Sequence, residues 1–395
     1  MKLISRPLYL DKLKKYTDTD FIKVLTGIRR CGKSPILSLY SDYLCSIAGK
    51  DNVLHLNIDT PDFIAIDTAE KLADVLKASI TPNTRYILLD EIQIVSGWER
   101  VINAYYATKK YDITVTGSNA QMLSYDLATH LTGRYVEIEV LSLSYKEFLT
   151  FSGLQKGEHS FDAYLMHGGF PSIVLLDGDR EKTYSLKAVM DSILYNDVLK
   201  RSRSLKADIL DKIMHLLNES VGSPVSINKI VHSLKSAGLK VYCELIAEYL
   251  DILSKSYLFM PSQFYYIKGR ERFGLIDKYY SIDTGFINLT KSSGSENYGA
   301  LLENAVFLEL RRRGFEVSIG RENSYEVDFI ARHGNDTEYY QVSETIRDPA
   351  TREREFRSLE NIDDNYPKYI ISMDVHDYSM KGIKNVNMMD FLLQE

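Results

Sequence analysis

Lys23-Val24-Leu25-Thr26-Gly27-Ile28-Arg29-Arg30-Cys31-Gly32-Lys33-Ser34 is the stretch whose reading decides the fold. Residues 21–25 read as a buried strand and 36–44 as a helix, and the segment between them satisfies G-x-x-x-x-G-K-[ST] in full. Glycines at both ends let the backbone wrap close to a polyphosphate. The amides of Gly27, Ile28, Arg29, Arg30, Cys31 and Gly32, with the following helix N-terminus, then point at the anion. On this reading Lys33 reaches the β- and γ-phosphates of ATP, and the Ser34 hydroxyl is a ligand of Mg²⁺. The plain alternative is a glycine-containing strand-to-helix turn. Pro35 departs from the usual pattern because it has no N–H to give a phosphate. Its ring fits a first helical turn, so the fold is expected to survive while nucleotide affinity falls.

Outward from this loop, segments of about six apolar residues alternate with amphipathic stretches. The runs 22–25, 53–58, 86–89, 113–116 and 136–140 predict a mostly parallel α/β sheet with helices on its faces. A nucleotide is expected at the carboxyl ends of those strands. The third run, Tyr86-Ile87-Leu88-Leu89-Asp90-Glu91, ends in two carboxylates. With the loop it reads as a Walker B strand, Asp90 holding Mg²⁺ and Glu91 deprotonating the attacking water. Alone, such a pair is a solvated turn. Arg134, in Leu131-Thr132-Gly133-Arg134-Tyr135, is a candidate to neutralise charge on the γ-phosphoryl oxygens, within its own chain or in a neighbour; a surface arginine is the alternative.

The composition allows two or three domains. The 395 residues are 45% hydrophobic and 26% charged, and the net charge of −6 gives no global basic field, so any nucleic-acid contact must be local. Three cysteines without a C-x-x-C pair, no secretory leader and no long apolar span predict a cytoplasmic chain without a membrane partner. Eight scattered histidines argue against structural zinc.

Gly27-Ile28-Arg29-Arg30-Cys31-Gly32-Lys33-Ser34, Leu88-Leu89-Asp90-Glu91-Ile92-Gln93, Thr116-Gly117-Ser118-Asn119 and the arginine motif, in this order, resemble the prokaryotic AAA-type ATPases that carry a carboxyl-terminal domain of unknown function of the DUF4143 type. The resemblance continues through Ser144-Tyr145-Lys146-Glu147-Phe148-Leu149, Gly168-Gly169-Phe170-Pro171, Lys278-Tyr279-Tyr280-Ser281-Ile282-Asp283-Thr284-Gly285 and Leu302-Glu303-Asn304, and so spans nearly the whole chain. It implies ATP and Mg²⁺ as cofactors. It also implies a sensor at the end of the fourth strand, Asn119 with Ser118 as second choice, and the possibility of a homo-oligomer.

Four regions follow: a P-loop ATPase core over 1–142, a helical lid over 143–203, a winged-helix-like module over 204–290, and a small α/β nuclease-like domain over 291–395. The lid's Gly168-Gly169-Phe170-Pro171 reads as a loop joining two helices, with ligand contact as the alternative. Helices over 209–219, 226–236 and 241–254, then strands over 257–260 and 264–267, give the winged helix. Its third helix carries Glu244, Glu248 and Asp251 at helical spacing, which repels phosphates; the basic turn at Lys268, Arg270 and Arg272 leaves a DNA contact open beside packing onto a protein partner.

The last region reads helix, strand, strand, strand, helix and resembles the PD-(D/E)XK nuclease fold, with Glu303, Glu326 and Asp328 as its acids. An active member needs an acid and a lysine where this chain has Gln341 and Ser343, so the resemblance implies a degenerate scaffold that serves as an interaction surface. A weakly held metal ion is the alternative. Three functions thus stand open: a continuous Mg²⁺-dependent ATPase driving carboxyl-terminal adaptor domains, a slow nucleotide-dependent switch or scaffold, and an ATP-regulated nuclease.

Overall fold

The computed structural model describes residues 3–117, 133–199, 205–269, 271–290, 298–322 and 325–394. They form two compact units, Met1–Leu141 with Lys255–Tyr257, and Ser142–Ser254 with Leu258–Glu395.

In the first unit, α1 (Pro7–Lys15) precedes β1 (Ile22–Thr26), α2 (Lys33–Ala48), β2 (Val53–Asn57), α3 (Ala69–Ser79), β3 (Tyr86–Asp90), α4 (Trp98–Ala107), β4 (Asp112–Thr116) and β5 (Tyr135–Glu139). All five strands are parallel, in the order β2-β3-β4-β1-β5. Parallel neighbours cannot be joined by hairpins, so the crossover helices cover the sheet and the strands read as continuous apolar runs. All five predicted runs are strands. One core gathers Ile22, Val24, Leu89, Ile113 and Val115 of the sheet with Leu72 and Leu76 of α3 and Trp98 and Ile102 of α4. Each such side chain contributes roughly 1.5–3 kcal/mol by leaving water.

Lys23, the second residue of β1, is buried, and its ammonium pairs with Asp112 on β4 and donates to the Tyr16 carbonyl at 3.3 Å. Desolvation pulls the pKa of Lys23 down, opposed by Asp112. Because β4 lies between β1 and β3, its carboxyl end stands between the end of β1 and the end of β3. Strand order therefore gathers the ends that matter.

The second unit holds α5 (Tyr145–Ser152), α6 (Glu158–His167), α7 (Pro171–Val174), α8 (Asp179–Ile193), α9 (Ala207–Glu219), β6 (Pro224–Val225), α10 (Ile227–Ser236), α11 (Cys243–Lys255), β7 (Phe259–Tyr266), β8 (Glu271–Ser281), α12 (Thr284–Thr290), α13 (Tyr298–Arg312), β9 (Glu316–Glu322), β10 (Tyr325–His333), β11 (Asp336–Ser343), α14 (Pro349–Glu360), β12 (Lys368–Ser372), β13 (Lys384–Asn387) and α15 (Met388–Leu393). One sheet of order β13-β12-β11-β10-β9-β7-β8-β6 runs through it. Sequence separates a lid, a winged-helix module and a nuclease-like domain, but described residues of all three share this unit, and the hairpin β7–β8 continues into β9 in a single sheet.

The two short strands expected at 257–260 and 264–267 are one strand, β7, with a register shift between Gln263 and Phe264. Pro261 mimics a break in the sequence. It lies before β9 joins at Phe264, where β7 is paired only with β8, and an edge position tolerates a missing N–H. Beyond the predicted helix at the end, β12 and β13 extend the sheet and α15 follows them.

The Gly-Gly-Phe-Pro loop lies between α6 and α7. Asp283 clamps it, accepting from the Gly169 N–H at 2.8 Å and the Gly285 N–H at 3.0 Å. A Cβ on Gly168, whose φ is +73°, would fall 1.5 Å from the Asp283 Oδ1. Burial pushes the Asp283 carboxyl up to about 6 despite these hydrogen bonds.

Candidate functional site

The loop after β1 folds as the sequence requires. Gly27 has φ +134° and a Cβ there would meet the Val140 carbonyl oxygen at 2.2 Å, so only glycine lets the chain turn this close to the strand end. Gly32, at φ 103°, is the N-cap of α2, and Pro35 sits inside that helix's first turn without breaking it. Lys33 is 3% exposed, and its ammonium donates to the loop's own carbonyls, Gly27 at 2.9 Å and Ile28 at 3.1 Å. Cys31 is fully buried inside the loop, and burial pushes its thiol up. Ser34, next along α2, is half-buried at the same end of the sheet.

Across β4, Asp90 ends β3 almost wholly buried, and the Thr116 hydroxyl donates to its Oδ1. The same Thr116 oxygen accepts from the Glu91 N–H at 3.1 Å. Glu91 has a left-handed backbone, φ 56°, which turns it off the strand axis just after Asp90. One hydroxyl thus fixes the Asp90 carboxylate and the Glu91 backbone, while the Glu91 carboxylate accepts from the Gln93 amide. Sequence reasoning passed over Thr116 in favour of Asn119, although a threonine ending the strand between the two motifs was a visible signal. Asn119 and Ser118 lie outside the described residues.

Two further positions were missed. Buried Arg6 donates to the Cys31 carbonyl at 2.8 Å and the Leu141 carbonyl at 3.0 Å, bracing the loop from ahead of α1. No periodicity or motif marks it. Glu137 on β5 accepts from the Thr26 hydroxyl at 2.6 Å and from the Tyr257 hydroxyl at 3.3 Å, so a residue 120 positions away completes the end of β1. Burial raises the Tyr257 phenol well above its ordinary range.

Arg134 lies apart from these residues. It precedes β5 at the amino ends of the strands, where its carbonyl accepts from Ile22 N–H at 2.8 Å, whereas the phosphate loop follows their carboxyl ends. Five residues of β1 separate the two, roughly 16 Å of strand. Its exposed guanidinium lies 5.8 Å from the Tyr106 ring centroid instead. The predicted site therefore assembles Gly27, Ile28, Arg29, Arg30, Cys31, Gly32, Lys33, Ser34, Asp90 and Glu91 at one end of the sheet, and leaves Arg134 at the other. Among the described residues no helix is long and apolar enough to cross a membrane.

Residues 19–149 match the AAA domain family, and residues 158–296 match a domain of unknown function, DUF8612, where the sequence had suggested a DUF4143 type. An uncharacterized protein of Haemophilus influenzae is 36% identical over 99% of this chain and 99% of its own length. One from Methanocaldococcus jannaschii is 31% identical over 93% of this chain and 85% of its own. Among solved structures, a Walker-type ATPase of Pyrococcus abyssi superposes with a TM-score of 0.52 at 16% identity, covering 72% of this chain and 95% of that one, which shows a shared fold. The chain belongs to the same family as the Haemophilus and Methanocaldococcus proteins, and carries an AAA domain followed by a domain of unknown function.

Proposed function

We propose that this protein binds ATP with Mg²⁺ at the loop of Gly27 to Ser34 and hydrolyses the β–γ phosphoanhydride. The observation that carries the reading is the Thr116 hydroxyl, which ties Asp90 and the Glu91 backbone together on the strand beside the loop. Ser34 and Asp90 supply the oxygen ligands Mg²⁺ prefers, and the ion when bound would neutralise charge on the β- and γ-phosphates. Lys33 exchanges its two carbonyl partners for phosphate oxygens, which are stronger acceptors for an ammonium. Glu91 orients a water toward the γ-phosphorus and takes its proton as the new P–O bond forms and the bond to the β-phosphate oxygen breaks. Asn119 would contact the γ-phosphate. Arg134, remote from its own loop, serves a neighbouring chain if it serves any, which ties turnover to homo-oligomerisation.

Pro35 favours a slow cycle, because one donor of the first helical turn is missing from the phosphate cradle. In that version the protein is a nucleotide-dependent switch whose second unit presents itself to a protein partner or to DNA in a reducing cytoplasm. ATP hydrolysis by the purified chain, with and without DNA and beside Lys33→Ala and Glu91→Gln, tests the reading. Turnover lost in both variants supports it. Absence of both turnover and nucleotide binding overturns it.

A further inference from the structure

The phosphate loop pivots on Thr26, the last residue of β1, and what holds that residue lies on another strand. The Thr26 carbonyl accepts from the Val140 N–H at 2.8 Å, and the Thr26 hydroxyl donates to the Glu137 Oε1 at 2.6 Å. Glu137 stands opposite Val24 in the register of β1 and β5. Residues two apart in a strand share a face, so its carboxylate reaches Thr26 along that face. The next residue, Gly27, receives the Lys33 ammonium on its carbonyl at 2.9 Å. One line of contacts thus runs from Lys33 through Gly27 and Thr26 to Glu137.

Tyr257 ends that line. Its hydroxyl donates to the same Glu137 Oε1 at 3.3 Å. Glu137 is exposed, but both hydroxyls that reach it come from buried residues, Thr26 fully so and Tyr257 at 6% exposure. Burial and the Glu137 charge raise the Tyr257 phenol, so it keeps its proton and stays the donor.

Tyr257 is also strained. Its φ of +55° is one that a residue with a Cβ rarely adopts, and such a backbone persists only where its surroundings over-determine it. It is the middle one of three residues between α11, which ends at Lys255, and β7, which starts at Phe259. Ser256 before it is fully buried. Leu258 after it is tied twice: its N–H donates to the Leu253 carbonyl of α11 at 3.1 Å, and its carbonyl accepts from the Ile282 N–H, just beyond β8, at 3.2 Å. Lys255–Tyr257 belong to the first unit and the chain on either side of them to the second. A shift of α11 along β7 would carry Leu258 with it, and one peptide bond transmits that shift to Tyr257.

We propose that Tyr257 is a positioning residue of the phosphate loop, which through Glu137 and Thr26 makes nucleotide affinity depend on the setting of the α11–β7 connection. The inference rests on the reading of that loop as the ATP site. By reciprocity, a bound nucleotide steadies the connection by the same factor with which the connection favours the nucleotide.

The test uses the full chain and the Mg²⁺ complex of a non-hydrolysable ATP analogue, titrated by calorimetry, with melting temperatures showing that each variant folds. Tyr257→Phe removes only the hydroxyl and is expected to weaken binding about 3- to 10-fold, the scale of one hydrogen bond. Thr26→Val keeps the side-chain shape and breaks the line nearer the loop. In that background Tyr257→Phe is expected to cost nothing further, because contacts in one network are not additive. Glu137→Ala serves as a second such background, and Thr26→Ser, which keeps the hydroxyl, should retain the full effect of Tyr257→Phe. A general structural defect would instead weaken binding equally in every background, and that result overturns the inference. So does an unchanged affinity in Tyr257→Phe.

Hydrogen exchange reads the reverse direction. With the analogue bound, the Leu258 amide is expected to exchange about threefold or more slowly in the unaltered chain, and at its nucleotide-free rate in Tyr257→Phe. Exchange that ignores the nucleotide in the unaltered chain overturns the coupling while leaving the ATP reading intact. An unaltered chain that binds no analogue overturns the ATP reading itself, and this inference with it.

Discussion

Lys33 and Lys278 are both buried ammonium groups, one in each unit, and they are held in opposite ways. Lys33 rests on two neutral carbonyls, Gly27 and Ile28. Lys278 is locked between two carboxylates, Glu303 and Glu326, and although desolvation lowers its pKa their charges more than restore it. A cation on neutral acceptors can turn to an arriving anion at little cost, whereas one between carboxylates is part of the fold. The difference teaches that burial of a lysine says little until its partners are known.

The largest effect expected from this contrast is on stability. Lys278→Met strands Glu303 beside Asp328 in the interior and should cost about 3–5 kcal/mol, roughly 10 °C in a fluorescence-monitored melt, while Lys33→Met should shift the melt far less. Equal shifts would break the comparison. For chemistry the ranking inverts: Lys33→Ala should lower ATP turnover by about 10²–10³, measured as phosphate release, and Lys278→Met should leave the turnover of folded protein near its starting value.

Asp283 extends the comparison to a buried acid held by backbone N–H groups. Its folded value of about 6 stands above the ordinary 3.8, so the native state holds a proton that the unfolded chain has released. Stability should therefore fall as pH rises from about 4 to 6, by roughly 2–3 kcal/mol in total from this group, and change no further above that. Asp283→Asn should flatten that part of the pH profile, whatever it does to absolute stability. Thr116→Ala, which frees Asp90 and the Glu91 N–H, should slow turnover by about 10- to 100-fold and raise the Mg²⁺ concentration needed. The smallest effect is expected of Arg134→Ala, less than about twofold in dilute protein; a loss that appears only as protein concentration rises would show action on a neighbouring chain.

The first unit was legible because each of its signals is local. An apolar run before a glycine loop, and an apolar run ending in Asp90-Glu91, need no distant partner to be recognised. Thr116 was visible but outranked by Asn119, since only strand order reveals that β4 lies between the two motifs. The place of Arg134 was not legible, because its motif is adjacent in sequence to the site strands while parallel topology carries it to their far end. The second unit resisted for the same physical reason throughout. Its sheet joins strands from 224 to 387, and Lys278, which pairs with Glu326, lies on β8, outside the spacing any short motif encodes. Pro261 hid the continuity of β7. Gly168 and Asp283, each readable as a turn residue, explain each other only once the loop is seen closed on the carboxylate.

Tyr257 carries one last consequence. The peptide leaves the first unit after Leu141, returns for Lys255–Tyr257, and departs again, so the phenol over Glu137 is supplied by a stretch that lies beyond any cut made between the matched families. A gene fragment ending near position 150 would encode a whole recognisable motif set and an incomplete folding unit. End-to-end recombination at that point would part Tyr257 from Glu137.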